Sequence, residues 1–513
     1  MVIDNKATLI IDKQKMILMA AIKINAIAGS IKTIKANMLV AGVFEDFMTE
    51  DVKTLDRMMN NEISELIKRK EFKPEFRQGK ILHKLLQIKN MLVLGLGKKN
   101  EFDIDKLRKA SALAAKIART ERIDSFVTIL QNIDIKDSNP VQRARAVTEG
   151  ILLGLYKFDK YKTPEDDAVK IKSADLLCEN AGEIKKGVDI GITVSDAVNY
   201  VRDLTNEPAS FMTPTALAEE AKKIAKECGL RITILNKKDI EGLGMGGLLG
   251  VSKGSSQEPK IIVLEYDAKT NKKICLIGKG VTFDSGGLDI KGADYMSSMK
   301  NDKAGAAAVL GILKAASKLK MPVNVVGIIP ATENMPGCAA YKPGDILKAY
   351  NKKTIEIINT DAEGRLILAD AISYAEKNHK PDAIIDLATL TGACVVALGY
   401  AAAGIFGTDE KLIKKIYDAG QKSAEKVWQL PMWEEYKDYV KSEVADVKNA
   451  SGLGFVTPGA INGAMFLSNF VDKAPWAHID IAGPAWFTEE KEYTPKGATG
   501  YGVRLILQLL AEW

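Results

Sequence analysis

A chain of 513 residues with 46% hydrophobic and 27% charged side chains is too apolar to stay disordered. Its Lys+Arg 72 against Asp+Glu 66 leaves a net charge of +6, spread along the chain without a basic block, which argues against nucleic acid as the main partner. The 5 cysteines, an odd number without CxxC spacing, exclude a disulfide scaffold and fit a reducing cytoplasm. No apolar run reaches the length of a membrane span, and Lys23 interrupts the apolar stretch 16–28, so a secretion signal is not expected. Residues 1–15 mix Ile, Lys and Asp and carry no functional reading.

In chain order, apolar runs at 38–44, 91–96 and 125–130 read as strands, and 52–68, 103–120 and 139–156 read as helices. That alternation predicts a small α/β domain over residues 1–180. Residues 157–167 are charged, carry Pro164 and read as a surface connector. A strand over 168–177 follows, and a long helix over 182–204 is expected to bridge into a second domain, 181–513.

This larger segment repeats strand then helix, with strands expected at 232–235, 261–266, 274–277, 323–329, 354–358 and 383–387. The expected fold is α/β, a mainly parallel sheet covered by helices on both faces, with its site at the carboxyl ends of the strands. The stretch Gly242 to Gly247 satisfies G-x-G-x-x-G and Asp267 follows, but no strand leads directly into it. A flexible surface loop of glycines is expected there instead. Bulky residues over 455–470 and the run 505–510 read as core or as subunit contacts.

Chemistry concentrates in two places. Asn359-Thr360-Asp361-Ala362-Glu363-Gly364-Arg365-Leu366 packs two carboxylates and a guanidinium between an expected strand and a helix over 366–377. Thr360 with Glu363 also fits a capping box. Earlier, Gly278-Lys279-Gly280-Val281-Thr282-Phe283-Asp284-Ser285-Gly286-Gly287 starts at a strand end, with Lys291 and Asp302 beyond it. Asp302 also fits an N-cap for a helix over 303–319, and a lone lysine is by default a solvated ammonium. Lys279 and Asp284 stand at an odd offset, which puts them on opposite faces of a straight strand unless the glycines bend it. Together, Asp284, Asp302, Asp361 and Glu363 would gather four negative charges that could not all stay ionised unaided. Two divalent cations would neutralise them, and carboxylate oxygens suit Mn, Mg or Zn. His83, His379 and His478 stand far from both motifs, so a histidine-rich zinc site is not expected.

The octet and the GKGVTFDSGG segment resemble the leucyl aminopeptidase, or cytosol aminopeptidase, family of two-metal exopeptidases. The resemblance extends to Leu204-Thr205-Asn206-Glu207-Pro208, Met335-Pro336-Gly337, Asp386 to Ala393, and Trp476 to Gly483, and covers roughly residues 145–513. It implies that Asp284 and Glu363 bridge two metals, Zn or Mn with Mg or Co as substitutes. By the same resemblance Lys279 and Asp302 complete the tighter site and Asp361 the more exchangeable one, while Lys291 polarises the scissile carbonyl and Arg365 holds a bicarbonate that acts as general base. A metal-bound Lys279 must be the neutral amine, its proton displaced by the cation.

The implied reaction is hydrolysis of the N-terminal peptide bond of peptides, one metal taking the free amine and the pair activating a shared water. Met299, Asn359, Thr389, Gly392, Ala482 and Ala485 are implied to form the substrate pocket, small and apolar enough to favour leucine-like first residues. The resemblance also implies a homo-hexamer, with the amino-terminal domain, of macro-like form, serving regulation or assembly. Three rival readings stand beside it. One is DNA binding through the amino-terminal domain, another a two-metal phosphoesterase, a class that usually recruits histidines, and the third a silent scaffold, which the full set of site residues opposes.

Overall fold

The computed structural model describes residues 22–85, 87–163, 169–451 and 457–513. Two compact units emerge, one of Met1–Leu155 with Lys160–Ile192 and one of Tyr156–Asp159 with Thr193–Trp513. Both draw on the helix Ala181–Asn206, which passes from the first to the second between Ile192 and Thr193.

The first unit is built on a six-stranded sheet in the order Lys23–Ala28, Ser173–Cys178, Ser125–Thr128, Ala36–Val43, Ile88–Gly95, Gly79–Leu85. All neighbours are parallel except the last pair. Period-2 alternation decides what each face buries. Met38 and Val40 join Leu107, Ala114, Val147 and Ile151 in one core, while Leu39, Ala41 and Val43 join Val52, Leu55, Ile63 and Leu66 in the other.

The expected single helix over 52–68 is two, Glu50–Met58 and Glu62–Lys68. Asn60 (φ 54) and Asn61 (φ 63) interrupt it in the left-handed region, which asparagine tolerates better than most residues. Asp56 then serves the second helix, its Oδ1 accepting from the amides of Ile63 (2.8 Å) and Ser64 (3.1 Å). The strands Lys23–Ala28 and Gly79–Leu85 go beyond the expected set. The described part of the connector, residues 157–163, is mostly exposed; the rest of it and the start of the strand expected at 168 lie outside the described residues.

In the second unit a nine-stranded sheet runs Val427–Gln429, Ala403–Gly407, Trp476–Asp480, Ala383–Ala388, Lys273–Gly278, Asn324–Asn334, Lys260–Tyr266, Arg231–Leu235, and Gly280–Asp284 also pairs with Asn324–Asn334. The centre is parallel. Arg231–Leu235 and Lys260–Tyr266 run antiparallel at one edge, and Ala403–Gly407 is antiparallel to Trp476–Asp480 near the other. Helix Gly364–His379 shares a core with Ile277, Val326, Ile328 and Ile384. On the other face Gly327 receives Leu313 and Val309 of helix Ala304–Lys318, where a Cβ would approach within 2.5 Å.

Two expectations need correction, and one open alternative is decided. The strand at 354–358 is only Thr354–Glu356 and belongs to a separate three-stranded sheet with Ile346–Lys348 and Val447–Lys448. The run 505–510 is core, within helix Val503–Ala511. The Gly242–Gly247 stretch is no loose surface loop: helix Lys237–Leu243 ends at Gly244 (φ +70), and helix Gly246–Ser252 is buried against Gly364–His379. A Cβ on Gly247 would meet the Leu366 carbonyl oxygen at 2.3 Å, so the glycines serve close packing. Gly247→Ala is therefore expected to lower stability by about 1–3 kcal/mol, the scale of overpacking, seen as a lower Tm. An unchanged Tm would show that the helix can shift without cost.

Candidate active site

The site begins where strand Lys273–Gly278 ends. Gly278 packs against the start of helix Ala304–Lys318, where a Cβ would meet the Gly305 oxygen at 2.5 Å. Lys279 is fixed by its main chain, its N–H donating to Leu387 O (3.0 Å) and its carbonyl accepting from Ala306 N (2.9 Å). From there its ammonium reaches Asp302 Oδ1 at 2.7 Å, Glu363 Oε1 at 2.8 Å and Thr389 O at 2.9 Å. Gly364 leaves the room for it, since a Cβ there would meet Lys279 Cε at 2.4 Å.

The odd offset between Lys279 and Asp284 is resolved by a register shift between Val281 and Asp284. Gly286 (φ +89) and Gly287 (φ +68) then turn the chain, and Asp284 Oδ1 accepts from Gly286 N (2.9 Å) and Asn334 Nδ2 (2.8 Å). Its Oδ2 lies 2.9 Å from the Lys291 ammonium, which also pairs with Asp361. The octet does not form the expected capping box. Thr360 Oγ1 instead donates to Gly286 O (2.7 Å) and accepts from Asp289 N (2.9 Å), tying the two motifs together. Glu363 precedes helix Gly364–His379 without capping it, which leaves its carboxylate for the site. Nor does Asp302 cap a helix: it sits in the 3-10 turn Met299–Lys303, and Thr389 Oγ1 donates to it at 2.7 Å.

Asp284, Asp361 and Glu363 each offer an oxygen within 4.8 Å of the others. Asp284, Asp302 and Glu363 are almost wholly buried, and Asp361 is half-buried. Burial pushes Asp361 up to about 6, with Asp284 and Glu363 adding repulsion that Lys291 only partly offsets. Burial likewise raises Asp302, against the pull of Lys279. Burial opposes the Lys279 and Lys291 ammoniums, but the surrounding carboxylates outweigh it and raise both.

The donor set fits divalent cations. Asp302 Oδ2, Asp361 Oδ1, Glu363 Oε1 and Asn334 Oδ1 are buried without a properly angled hydrogen bond, although lysine ammoniums lie close to two of them. Lys279 and Lys291 thus stand as the local counter-charges to an acidic cluster with oxygen to spare.

Arg365 suits an anion. Burial pulls it down to about 10, still fully charged near neutral pH. Its NH1 group donates to Asn449 O at 2.8 Å, its Nε has no acceptor, and among the described residues no carboxylate pairs with it within 4 Å.

The six expected pocket residues divide. Thr389 touches Asp302, and Asn359 Oδ1 accepts from Asp361 N at 2.7 Å, so both adjoin the acidic cluster. Gly392 opens onto free space at the start of helix Gly392–Leu398, and Met299 is half-buried in the turn that carries Asp302. Ala482 N donates to Asp480 Oδ1 (3.2 Å). Ala485 is 2% exposed and held by main-chain bonds to Ile481 and Thr499, so its methyl is core rather than an open wall. The histidines stay out of the cluster. His478 Nδ1 pairs with Asp386 at 2.6 Å in the sheet, and His83 Nδ1 meets Asn90.

Sequence reasoning missed two asparagines. Asn334 Nδ2 bonds both Asp284 and the Thr360 oxygen (3.0 Å), joining the halves of the site. Asn449, fully buried, accepts from Ile358 N (2.8 Å), donates to Asn359 O (2.7 Å) and offers its carbonyl to Arg365. Only the position of Asn334, directly before the Met335-Pro336-Gly337 motif, gave a signal.

Residues 199–507 match the catalytic domain of the cytosol aminopeptidase family, and residues 40–165 match its N-terminal domain. A probable cytosol aminopeptidase of Roseiflexus castenholzii is 43% identical over 96% of this chain and 99% of its own length. One from Chlorobaculum tepidum is 49% identical over 73% of this chain and 76% of its own. Among solved structures, a mutant tomato leucine aminopeptidase superposes with TM-score 0.86 at 35% identity, covering 96% of this chain and 97% of that one. The bottromycin maturation enzyme BotP in complex with Mn gives 0.83 at 31% identity, covering 93% and 99%. Family membership and a cluster without histidine do not favour the phosphoesterase reading. With both domains matched and the acidic cluster assembled from both motifs, the chain belongs to the cytosol aminopeptidase family of metal-dependent peptidases.

Proposed function

We propose that this aminopeptidase works with two divalent cations, Zn or Mn, held by Lys279, Asp284, Asp302, Asp361 and Glu363, and that it prefers leucine-like first residues. The observation that carries the reading is the convergence of Asp284, Asp361 and Glu363 within 4.8 Å, beside an Asp302 Oδ2 that is buried without a hydrogen-bond partner. The cations, when bound, supply Lewis-acid polarisation and a water of lowered pKa. Support for Mn comes from the BotP complex, and support for leucine from the tomato relative.

The residues themselves have separable tasks. Lys291, its side chain 15% exposed, is the cation at the mouth and steadies the developing oxyanion. Arg365, with its unpartnered Nε, would hold an anion such as bicarbonate beside the cluster, and such an anion when bound would supply a general base. Met299, Thr389 and Gly392 receive the first side chain, and the small residues leave space for a branched aliphatic group.

The test is metal analysis of the purified chain with turnover of a panel of amino acid anilides. Two ions per chain and faster release from Leu than from Asp or Lys anilide are expected; one ion, or full activity after chelation, would end the two-cation reading. Lys291→Ala should retain both ions and lose on the order of a hundredfold in kcat, the scale of one lost oxyanion partner. A near-normal kcat would remove it from that role.

A further inference from the structure

We propose that the second unit carries another ligand site, independent of the catalytic reading, for a small organic anion with an apolar body. It is a cavity of about 990 Å³ at the amino ends of strands Ala383–Ala388 and Trp476–Asp480, within the size range of small-molecule pockets. Glu363 and Lys279 stand at the other end of the same architecture. Helix Gly364–His379 starts at Glu363 and brings Glu376 and Lys377 to the cavity, about 20 Å away at 1.5 Å rise per residue. An anion bound there cannot occupy the peptide's place.

The wall is apolar and pinned. Phe470, Val471 and Pro475 line it, and the segment is anchored by Ser373 Oγ donating to Phe470 O (2.9 Å) and Lys353 Nζ donating to Asn469 O (2.8 Å). The rim is cationic. Lys377, Lys380 and Lys473 line the cavity with Lys352, whose ammonium lies beside Gly244, and among the described residues no ion pair within 4 Å ties any of the four to a carboxylate. Lys377 lies 5.1 Å over the Tyr350 ring instead.

The nearby acids are mostly committed. Glu376 accepts the amides of Asp472 (2.7 Å), Ala474 (2.8 Å) and Lys473, and Asp382 Oδ2 accepts Lys273 N (2.8 Å). These neutral amides leave the carboxylate charges in place, yet the lining still carries five lysines, Lys353 included, against the three acids Glu376, Asp382 and Asp472, a net charge of +2. Like charges gathered around a concave, apolar-walled space attract an anion, and the wall favours one with a hydrophobic portion. Phosphate and carboxylate share that chemistry.

The experiment is calorimetric titration of the metal-loaded full chain with phenyl phosphate, and with phthalate to separate a phosphate from a carboxylate ligand. Wild type is expected to show saturable binding that weakens with salt, and Glu363→Ala, with the catalytic cluster disrupted, should keep it. The double variant Lys380→Glu with Lys473→Glu should lose at least tenfold in affinity while its anilide turnover stays unchanged. Retention of wild-type affinity by the double variant would overturn the proposal, as would equal binding of neutral benzyl alcohol or no saturation with either anion. Loss of binding in Glu363→Ala would assign the anion to the catalytic cluster and overturn it as well.

Discussion

Glu363→Ala is expected to lower kcat/KM for a leucine anilide on the order of a thousandfold or more and to reduce the bound metal below two ions per chain. Glu363 is 2% exposed and faces Lys279 at 2.8 Å, with oxygens of Asp284 and Asp361 within 4.8 Å. Burial disfavours its charge, yet Lys279 and Lys291 hold it below the usual carboxylate range, so it stays ionised and ready to ligate near neutral pH. Removing it takes one of the three converging carboxylates out of the cluster, and a catalytic cation contributes several kcal/mol of transition-state stabilisation. Metal analysis beside steady-state kinetics decides the matter. A variant that keeps two ions and most of its rate would show that Glu363 only balances the charge of Lys279.

Metal affinity should also fall as the pH drops through about 6, because Asp361 must lose its proton before it can ligate and burial with neighbouring charge has raised it to that value. The direction follows from the raised carboxyl. Below that pH the Asp361 proton competes with the cation as well, and above it this carboxyl no longer does.

The centre of this site is legible in the sequence because its chemistry lies in short, dense segments. Two carboxylates and a guanidinium within one octet, and a lysine and an aspartate among glycines, put more charge at strand ends than solvation or capping alone would require. The supports are not legible, because their value exists only once the chain has folded. Asn449 is one amide among many until Val447–Lys448 pairs beside Thr354–Glu356 and delivers it to Asn359 and Arg365. The two- and three-residue strands of that sheet are too short to show a period, so the apolar pattern alone places 354–358 in the wrong sheet. Gly246 and Gly247 mislead for a related reason: glycine signals both a loop and a close contact, and only the carbonyls opposite them, of Lys348 and Leu366, decide between the two. The long helices of the first unit are legible from their apolar period, whereas the break at Asn60 and Asn61 rests on backbone conformations that the pattern does not encode.

Lys279→Met is expected to destabilise the metal-stripped protein far more than the metal-loaded one. In the stripped chain the Lys279 ammonium is the charge that sits between Asp302 (2.7 Å) and Glu363 (2.8 Å), and all three side chains are almost fully buried. Methionine fills a similar volume without charge, leaving the carboxylates to face one another. Removing one partner of a buried ion pair costs about 3–5 kcal/mol. The effect has a pH sign. Burial and the charges of Glu363 and Asp284 already raise Asp302, and loss of the Lys279 charge raises it further. A carboxyl raised in the folded state opposes folding once the unfolded chain has released its proton, so the deficit grows as pH rises above the ordinary carboxyl range and shrinks on acidification. Thermal unfolding of stripped wild type and variant across pH 5 to 8 (roughly the stable range of most proteins) measures it. A stripped variant as stable as stripped wild type at the upper end would mean that the lysine does not neutralise this cluster, and that the acids are held apart by something other than its charge.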